Sequence, residues 1–437
     1  MKKVSIVNMG CKVNQYESDT IAGLLSASGF SVDFGLVPAD IYCVNTCAVT
    51  NEGERKSRNV ITKLLKLNPE AEIYVSGCAS ENNKEHFTKI SNVKYVIGTQ
   101  NKNRIAAAVC KDNGVKLVNS SEHISNRTRG VLKCQDGCNN FCTYCLIPYV
   151  RGREVSRPLS ELERELQTMV NSGVHEVVLA GINLSAYGND FKDGTSLVSV
   201  AKLINSINQK IAKLSEKSSK NAQNLLRYRF SSLEVGIITE DFLNYLKTDE
   251  AFCPHFHLSM QSGSNKTLKA MNRHYKKEEF LAKVELIRKY FPFAAITTDV
   301  IVGFPTETEE DFNETFDTCK KANFFEMHVF PYSSREGTVA AKLKNVATNV
   351  KDRVWKLKNM STENHDKFIK QNITENPVQK VIVETTNGDY YTAHTANYIK
   401  CYIPKLKSQN LSNNSIVDVK LEKLYLDGAL VSLSAID

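Results

Sequence analysis

Three cysteines within eight residues, Cys138, Cys142 and Cys145, constrain this chain more than any other feature. They stand in Cys134-Gln135-Asp136-Gly137-Cys138-Asn139-Asn140-Phe141-Cys142-Thr143-Tyr144-Cys145-Leu146-Ile147-Pro148-Tyr149, where spacings of three and then two residues let one short loop aim three thiolates at a point. Thiolates gathered in this way bind a soft metal or an iron-sulfur cluster. Ligand count separates the two. A structural zinc site takes four protein ligands, and Cys134 can supply the fourth. A cube held by three cysteines leaves one iron open to a ligand from outside the protein. Tyr144, directly before the last cysteine, offers an aromatic face to a flat adenine ring, for which a zinc knot has no use.

No apolar run approaches the ~18 residues that span a bilayer, and the opening apolar stretch breaks at Asn8. No membrane partner is expected, and the protein is placed in the cytoplasm. Thiols there stay reduced, so twelve cysteines argue for metal binding over a disulfide framework. The 437 residues fit about three domains. A net charge of +8 permits a polyanionic partner without requiring one.

In the first 125 residues, apolar runs at 4–7, 41–44 and 73–75 alternate with helical patterns, which predicts a parallel, helix-covered sheet. Cys11, Cys47 and Cys78 each follow one run. Ligands of parallel sheets lie at the carboxyl edge, so these thiols can meet as a second trio. One cysteine in such a place reads as packing; three at equivalent positions do not. Cys43, Cys110, Cys253, Cys319, Cys401 and Cys134 are assigned to packing.

Cys138-x3-Cys142-x-Tyr144-Cys145 resembles the radical S-adenosylmethionine (SAM) signature. Gly10-Cys11-Lys12-Val13-Asn14, Asn45-Thr46-Cys47-Ala48-Val49 and Ser76-Gly77-Cys78 resemble the three motifs of the amino-terminal domain of the methylthiotransferases. The resemblance implies two [4Fe-4S] clusters: one on Cys138, Cys142 and Cys145 that binds SAM, and an auxiliary one on Cys11, Cys47 and Cys78 that holds the sulfur. Gln135-Asp136-Gly137-Cys138-Asn139-Asn140-Phe141-Cys142 and Tyr149-Val150-Arg151-Gly152-Arg153 most resemble the subgroup acting on N6-threonylcarbamoyladenosine, 3′ of the tRNA anticodon. The implied reaction replaces the hydrogen at adenine C2 by a methylthio group. That C–H bond is neither acidic nor polarised, so acid-base or nucleophilic side chains do not suffice and a radical is required. Implied partners are tRNA and an electron donor such as flavodoxin or ferredoxin. Within the family, N6-isopentenyladenosine of tRNA and a ribosomal protein aspartate are the alternative substrates. Outside it, the alternative is a zinc-knot RNA-binding protein without catalysis.

Strand-like runs at 175–181, 228–234, 255–260, 294–304 and 324–332, with helical stretches such as 159–172 and 307–321, predict a barrel or partial barrel. This resembles the open (β/α)6 barrel of radical SAM enzymes. Gly181, Asn183, Glu234, Gln261, Asp299 and Gly303 at strand ends, with Tyr144, are the residues expected to hold SAM. Arg151, Arg153 and Arg157, directly after the cysteine loop, are expected to grip phosphates or stack on a base of the RNA; Arg55, Lys56 and Arg58 are expected to border the same mouth. Runs at 378–385, 390–403, 416–426 and 430–433 predict a small antiparallel barrel, which by position resembles the RNA-binding TRAM domain. Six lysines there face six acids, so RNA would be held by lysines sorted onto one face or by stacking on Tyr390, Tyr391, Tyr398 or Tyr402. The expected organisation is α/β: a Rossmann-like parallel-sheet domain (1–125), a partial (β/α)6 radical SAM barrel (126–372) and a TRAM-like β-barrel (373–437).

Overall fold

Runs of Val and Ile set the first layer. In the computed structural model, which describes residues 1–119, 127–217, 225–405 and 411–434, strands β1 (Lys3–Asn8), β2 (Ser31–Phe34), β3 (Ile41–Thr46), β4 (Glu72–Gly77) and β5 (Val93–Val96) form a parallel sheet in the order β2-β1-β3-β4-β5. Helix α1 (Lys12–Ala27) covers one face, with Ile21 and Leu25 against Val4 and Ile6. Helix α2 (Asn51–Leu67) covers the other, with Ile61 and Leu64 against Val44 and Val75. Strands buried on both faces read as continuous apolar runs, so β1, β3 and β4 are legible in the sequence. The short, more polar edge strands β2 and β5 are not, and the structure adds them.

Strand β6 (Gly130–Lys133) opens the second layer, and the short antiparallel pair β7 (Gln135–Asp136) and β8 (Val155–Ser156) brackets the cysteine loop. Strands β9 (Glu176–Ala180) and β10 (Arg227–Phe230) join β6 in the order β10-β9-β6. Strands β11 (Ser232–Leu233), β12 (His255–Gln261), β13 (Ala295–Val302) and β14 (Glu326–Pro331) continue in sequence order, all parallel. A Tyr228–Phe252 bridge and one shared apolar core join the two sheets. The wall stays open between β6 and β14, as a partial barrel. Alternation along β12 and β13 buries Leu258 and Val300 while His257 and Asp299 look into the lumen. Helix α1 packs on this wall, Val13 against Val131 and Ala180.

The third layer is a closed barrel of β15 (Val378–Asn387), β16 (Tyr390–Thr395), β17 (Lys400–Pro404), β18 (Ile416–Tyr425) and β19 (Gly428–Leu433), in the order β15-β16-β17-β19-β18. The run at 390–403 is two strands, not one. Thr395 turns the chain by accepting from the Ile399 N–H at 2.9 Å, and Tyr398 takes a left-handed φ of 72°. Four of the five pairings are antiparallel, as expected, and the β17–β19 pair is parallel. Helix Val350–Glu375 runs across the expected boundary at 372, and the boundary at 125 lies outside the described residues.

Where barrel meets barrel, Glu176 is buried and accepts from Nε of Arg129 at 2.6 Å and of Arg227 and Arg229 at 2.7 Å each. Arg129 also pairs with Glu384, and Tyr398 stacks on His255 at 4.5 Å. Burial works to raise the Glu176 carboxyl, but Arg229, Arg227 and Arg129 outweigh it and hold the group below its usual range. Its folded pKa thus lies below the unfolded value of about 4.3. The stabilisation is complete above that value and is lost as pH falls through the folded pKa. Glu176→Gln is expected to cost about 2–3 kcal/mol at neutral pH, measured by denaturant unfolding, with the gap to wild type narrowing below about pH 4. A gap independent of pH would refute this linkage.

Candidate active site between two cysteine trios

The loop carrying Cys138, Cys142 and Cys145 is fixed at several points. Gly137 has φ +69°, and a Cβ there would collide with the Arg153 carbonyl. Phe141 holds a left-handed φ of 47° and packs edge-on against Tyr149, with the Arg153 guanidinium 4.4 Å above its ring. Thr143 donates its hydroxyl to the Ala270 carbonyl at 2.8 Å. Each sulfur of the trio meets one N–H donor: Asn140 N–H to Cys138 at 3.5 Å, Ile147 N–H to Cys145 at 3.4 Å, and Arg273 Nη1 to Cys142 at 3.5 Å. Burial pushes the Cys145 thiol up to about 12, and the neighbouring cysteines add to it. Thiols become thiolates when they bind a metal centre, which displaces their protons. Cys134 does not join them. It is buried in the barrel core with its thiol donating to the Leu132 carbonyl, so the four-cysteine zinc knot lacks its fourth ligand.

The second trio sits at the carboxyl edge of the first sheet, as expected. Cys11 precedes α1, Cys47 follows β3, and Cys78 opens the short helix Cys78–Asn82 after β4. Asparagines of the same motifs tie the loops together: Asn14 Nδ2 donates to the Thr46 carbonyl at 2.9 Å and Asn45 Nδ2 to the Asn14 carbonyl at 2.8 Å. Gly77 has φ +115°, and any side chain there would strike the Thr46 backbone. Burial raises the Cys47 thiol to about 11, with Cys78 and Cys11 close enough to add to the effect.

Arg151 connects the two trios. Its side chain is fully buried, with Nε donating to Cys78 Sγ at 3.3 Å and Nη1 to Asp136 at 2.9 Å and Glu17 at 3.1 Å. Nη2 donates to Asn14 Oδ1 at 2.5 Å. The expectation that Arg151 grips RNA is therefore corrected, since a guanidinium enclosed by two carboxylates and a thiol has no free face. Arg157 is also committed, to Glu165 at 2.8 Å and the Lys133 carbonyl at 2.8 Å. Arg153 is the exposed member of the run. Arg55 and Arg58 pair with Glu52 and Glu54 of their own helix. Of the tyrosines expected to stack on RNA, Tyr391 and Tyr402 are buried and Tyr398 is covered by His255.

Around the first trio, Glu234 accepts from Arg273 Nη1 at 3.0 Å, and Arg273 Nη2 donates to the Ser259 carbonyl at 2.8 Å. Arg273 thus touches both Glu234 and Cys142. It stands in a polar turn with no motif around it, and only the fold reveals it. Gln135 Oε1 accepts from the Asn183 N–H at 2.9 Å, and a Cβ on Gly181 would press on Gln135. Asn183 Oδ1 is buried with no hydrogen-bond partner, and with Asn140, Glu234 and Arg273 it lines a cavity of about 260 Å³. An orphaned acceptor beside a carboxylate and an arginine fits a small polar cofactor such as SAM. Tyr144 packs beside Phe304, Met271 and Tyr332. Gln261 ends β12 in a left-handed conformation, φ 66°.

Two expected SAM residues are placed otherwise. Gly303 donates its N–H to Glu307 at 3.0 Å and abuts Val350, which makes it a turn residue. Asp299 lies three residues before the end of β13 and accepts from or shares a proton with His257 Nε2 at 3.2 Å. It belongs to a different cavity, of about 860 Å³, whose lining includes Lys12, Arg129, Arg229, His257, Asp299 and His328.

The Radical SAM superfamily model matches residues 132–319, and the Uncharacterized protein family UPF0004 model matches residues 3–98. The chain is 36% identical to the threonylcarbamoyladenosine tRNA methylthiotransferase MtaB of Bacillus subtilis, over 99% of this chain and 97% of that protein. It is 34% identical to the protein of the same name from Chlamydia pneumoniae, over 97% and 96%. Identity to the tRNA-2-methylthio-N(6)-dimethylallyladenosine synthase of Thermotoga petrophila is 33%, over 96% and 94%. Among solved structures, the radical S-adenosylmethionine methyltransferase TsrM from Kitasatospora setae shares the fold, with a TM-score of 0.50 over 75% of this chain and 73% of that one, at 15% identity.

Proposed function

The chain belongs to the radical SAM methylthiotransferases, and from that premise we infer that it replaces the hydrogen at C2 of N6-threonylcarbamoyladenosine in tRNA by a methylthio group. What supports this most is Arg151, whose one guanidinium touches Cys78 of one trio and is carried on the helix Ile147–Arg151 that leaves the other. Two of the full-length relatives carry the threonylcarbamoyl name.

In this reading Cys138, Cys142 and Cys145 hold the SAM-binding [4Fe-4S] cluster, and Cys11, Cys47 and Cys78 hold the auxiliary one. When bound, the first supplies the electron that splits SAM and the second supplies the sulfur. The remaining work is positioning by the chain itself. Asn183 and Glu234, steadied by Arg273, hold the polar parts of SAM, and Tyr144 packs behind it. The five-stranded sheet acts as the auxiliary-cluster domain, the open barrel as the radical SAM domain, and the closed barrel after helix Val350–Glu375 as the TRAM-like domain. A flavodoxin- or ferredoxin-like protein is the electron donor. No helix among the described residues is long and apolar enough to cross a membrane, and a tRNA substrate places the work in the cytoplasm. Arg153, exposed beside the loop, is the member of its run that contacts RNA.

Anaerobically reconstituted enzyme, given tRNA that carries threonylcarbamoyladenosine, isopentenyladenosine or plain adenosine, is expected to add the mass of a methylthio group to the first alone. Product on the isopentenyl substrate alone would overturn the substrate assignment. In the same system, Arg153→Ala should weaken tRNA binding and lower the slope of log affinity against log salt by about 1; an unchanged slope would remove Arg153 from the interface.

A further inference from the structure

The 860 Å³ cavity has no part in the roles above, yet it lies between them. Lys12, next to Cys11, enters it from α1, and Ser231 and Ser232 line it where the wall leads on to Glu234. We propose that this cavity reads the threonyl carboxylate of the substrate, with Lys12 as the cation that pairs with it. The proposal rests on the substrate reading given above.

Three observations carry it. First, the Lys12 side chain has no ion pair and no hydrogen bond among the described residues, and Arg129 and Arg229 line the cavity with it. Lys12 is exposed where it lines the cavity. An ammonium held among guanidiniums without a counter-ion is a site for an anion. Second, Arg229 is 2% exposed and spends its Nε on Glu176, while Nη1 and Nη2 are buried without hydrogen-bond partners. Third, most of the acids lining the cavity are engaged. Glu384 lies 3.0 Å from His394 and also pairs with Arg129, and Asp299 is bonded to His257. Glu326, the remaining one, starts β14.

The chemistry of the substrate suits this placement. In adenine, C2 and the carbon bearing N6 flank the same ring nitrogen, N1. A nucleoside that presents C2 between the two trios therefore carries its N6 substituent along the same edge. Threonylcarbamoyl ends in a carboxylate, whereas isopentenyl is apolar throughout. The buried Nη1 and Nη2 of Arg229 gain a partner from a carboxylate and none from an isopentenyl group, so the site selects for one substituent and against the other. His257, Asp299 and His328 also bring three ligand atoms within 4.8 Å of one another, a set that suits a divalent cation. The surrounding Lys12, Arg129 and Arg229 repel a cation and favour the anion.

The test is binding of a labelled anticodon stem-loop to the holoenzyme at fixed ionic strength. The loop carries either threonylcarbamoyladenosine or its carboxamide analogue, in which the carboxylate is neutral. Wild type is expected to prefer the carboxylate by about tenfold or more. Lys12→Gln should lose that preference and Lys12→Arg should keep most of it, with the iron content and the reduced-cluster spectra of both variants unchanged. Equal wild-type affinity for the two loops, or full preference in Lys12→Gln, overturns the proposal. Should Lys12→Gln fail to load iron, the ratio in wild type and in Lys12→Arg decides: preference in both supports the proposal, and its absence in either refutes it. A preference that appears only with added zinc or manganese and vanishes with chelator would assign the carboxylate to His257, Asp299 and His328 instead, against Lys12. If wild type modifies isopentenyl tRNA and not threonylcarbamoyl tRNA, the substrate reading has failed, an outcome scored separately from the binding ratio.

Discussion

Changing Cys11, Cys47 and Cys78 together to alanine is expected to halve the bound iron, from about eight to about four atoms per chain, and to abolish methylthio product while 5′-deoxyadenosine is still released from SAM. The companion variant at Cys138, Cys142 and Cys145 should also keep about half the iron but release no 5′-deoxyadenosine. The asymmetry follows from the geometry. Each trio is held by its own elements: Cys11, Cys47 and Cys78 by the edge of the five-stranded sheet, and Cys138, Cys142 and Cys145 by a loop anchored at Ala270 and Gly152. Iron analysis of the purified variants and chromatography of SAM products read the two outcomes independently. Loss of all iron from either triple variant would mean that the sites are not separate and would remove the basis of the proposed chemistry.

The second large effect is expected at Arg151. Lys102, Arg151 and Lys133 act together on Glu17, and although burial alone would raise its carboxyl, they hold it below its usual range. Arg151→Leu leaves Glu17 and Asp136 short of a cation and Asn14 Oδ1 without its donor, and a broken buried pair costs about 3–5 kcal/mol. Arg151→Lys keeps the charge but not the planar fork, so it should fall between leucine and wild type. Stability of the apo-protein, measured by denaturant unfolding, should drop in that order. Methylthio product should fall at least tenfold in Arg151→Leu, because the helix after the first trio is no longer pinned to the second. A surface arginine used only for phosphate would behave differently, losing tRNA affinity while stability stayed constant. That pattern would return Arg151 to the RNA interface.

These two residue sets differ in how they can be read. The six cysteines are legible in the linear sequence. Three lie within one loop, and the other three each follow an apolar run whose strand direction brings it to a common edge. Arg151 has no such signature. Its partner Glu17 is 134 residues away, and an arginine beside two others reads as a solvated run until the fold encloses it. Arg273 and Lys12 are hidden for the same reason, being ordinary basic residues whose meaning is set by what surrounds them. Asp299 was expected at a strand end, but it lies three residues before the end of β13, beside His257.

Spacing along the chain determined the two trios, the parallel sheet and the partial barrel, since covalent geometry and hydrophobic periodicity act over a few residues. The tertiary structure decided which charges are buried and paired, which lysine is left without a counter-ion, and where the cavities open. Electrostatic partnership depends on distance through space and on exclusion of water, and neither is defined until distant segments have packed together.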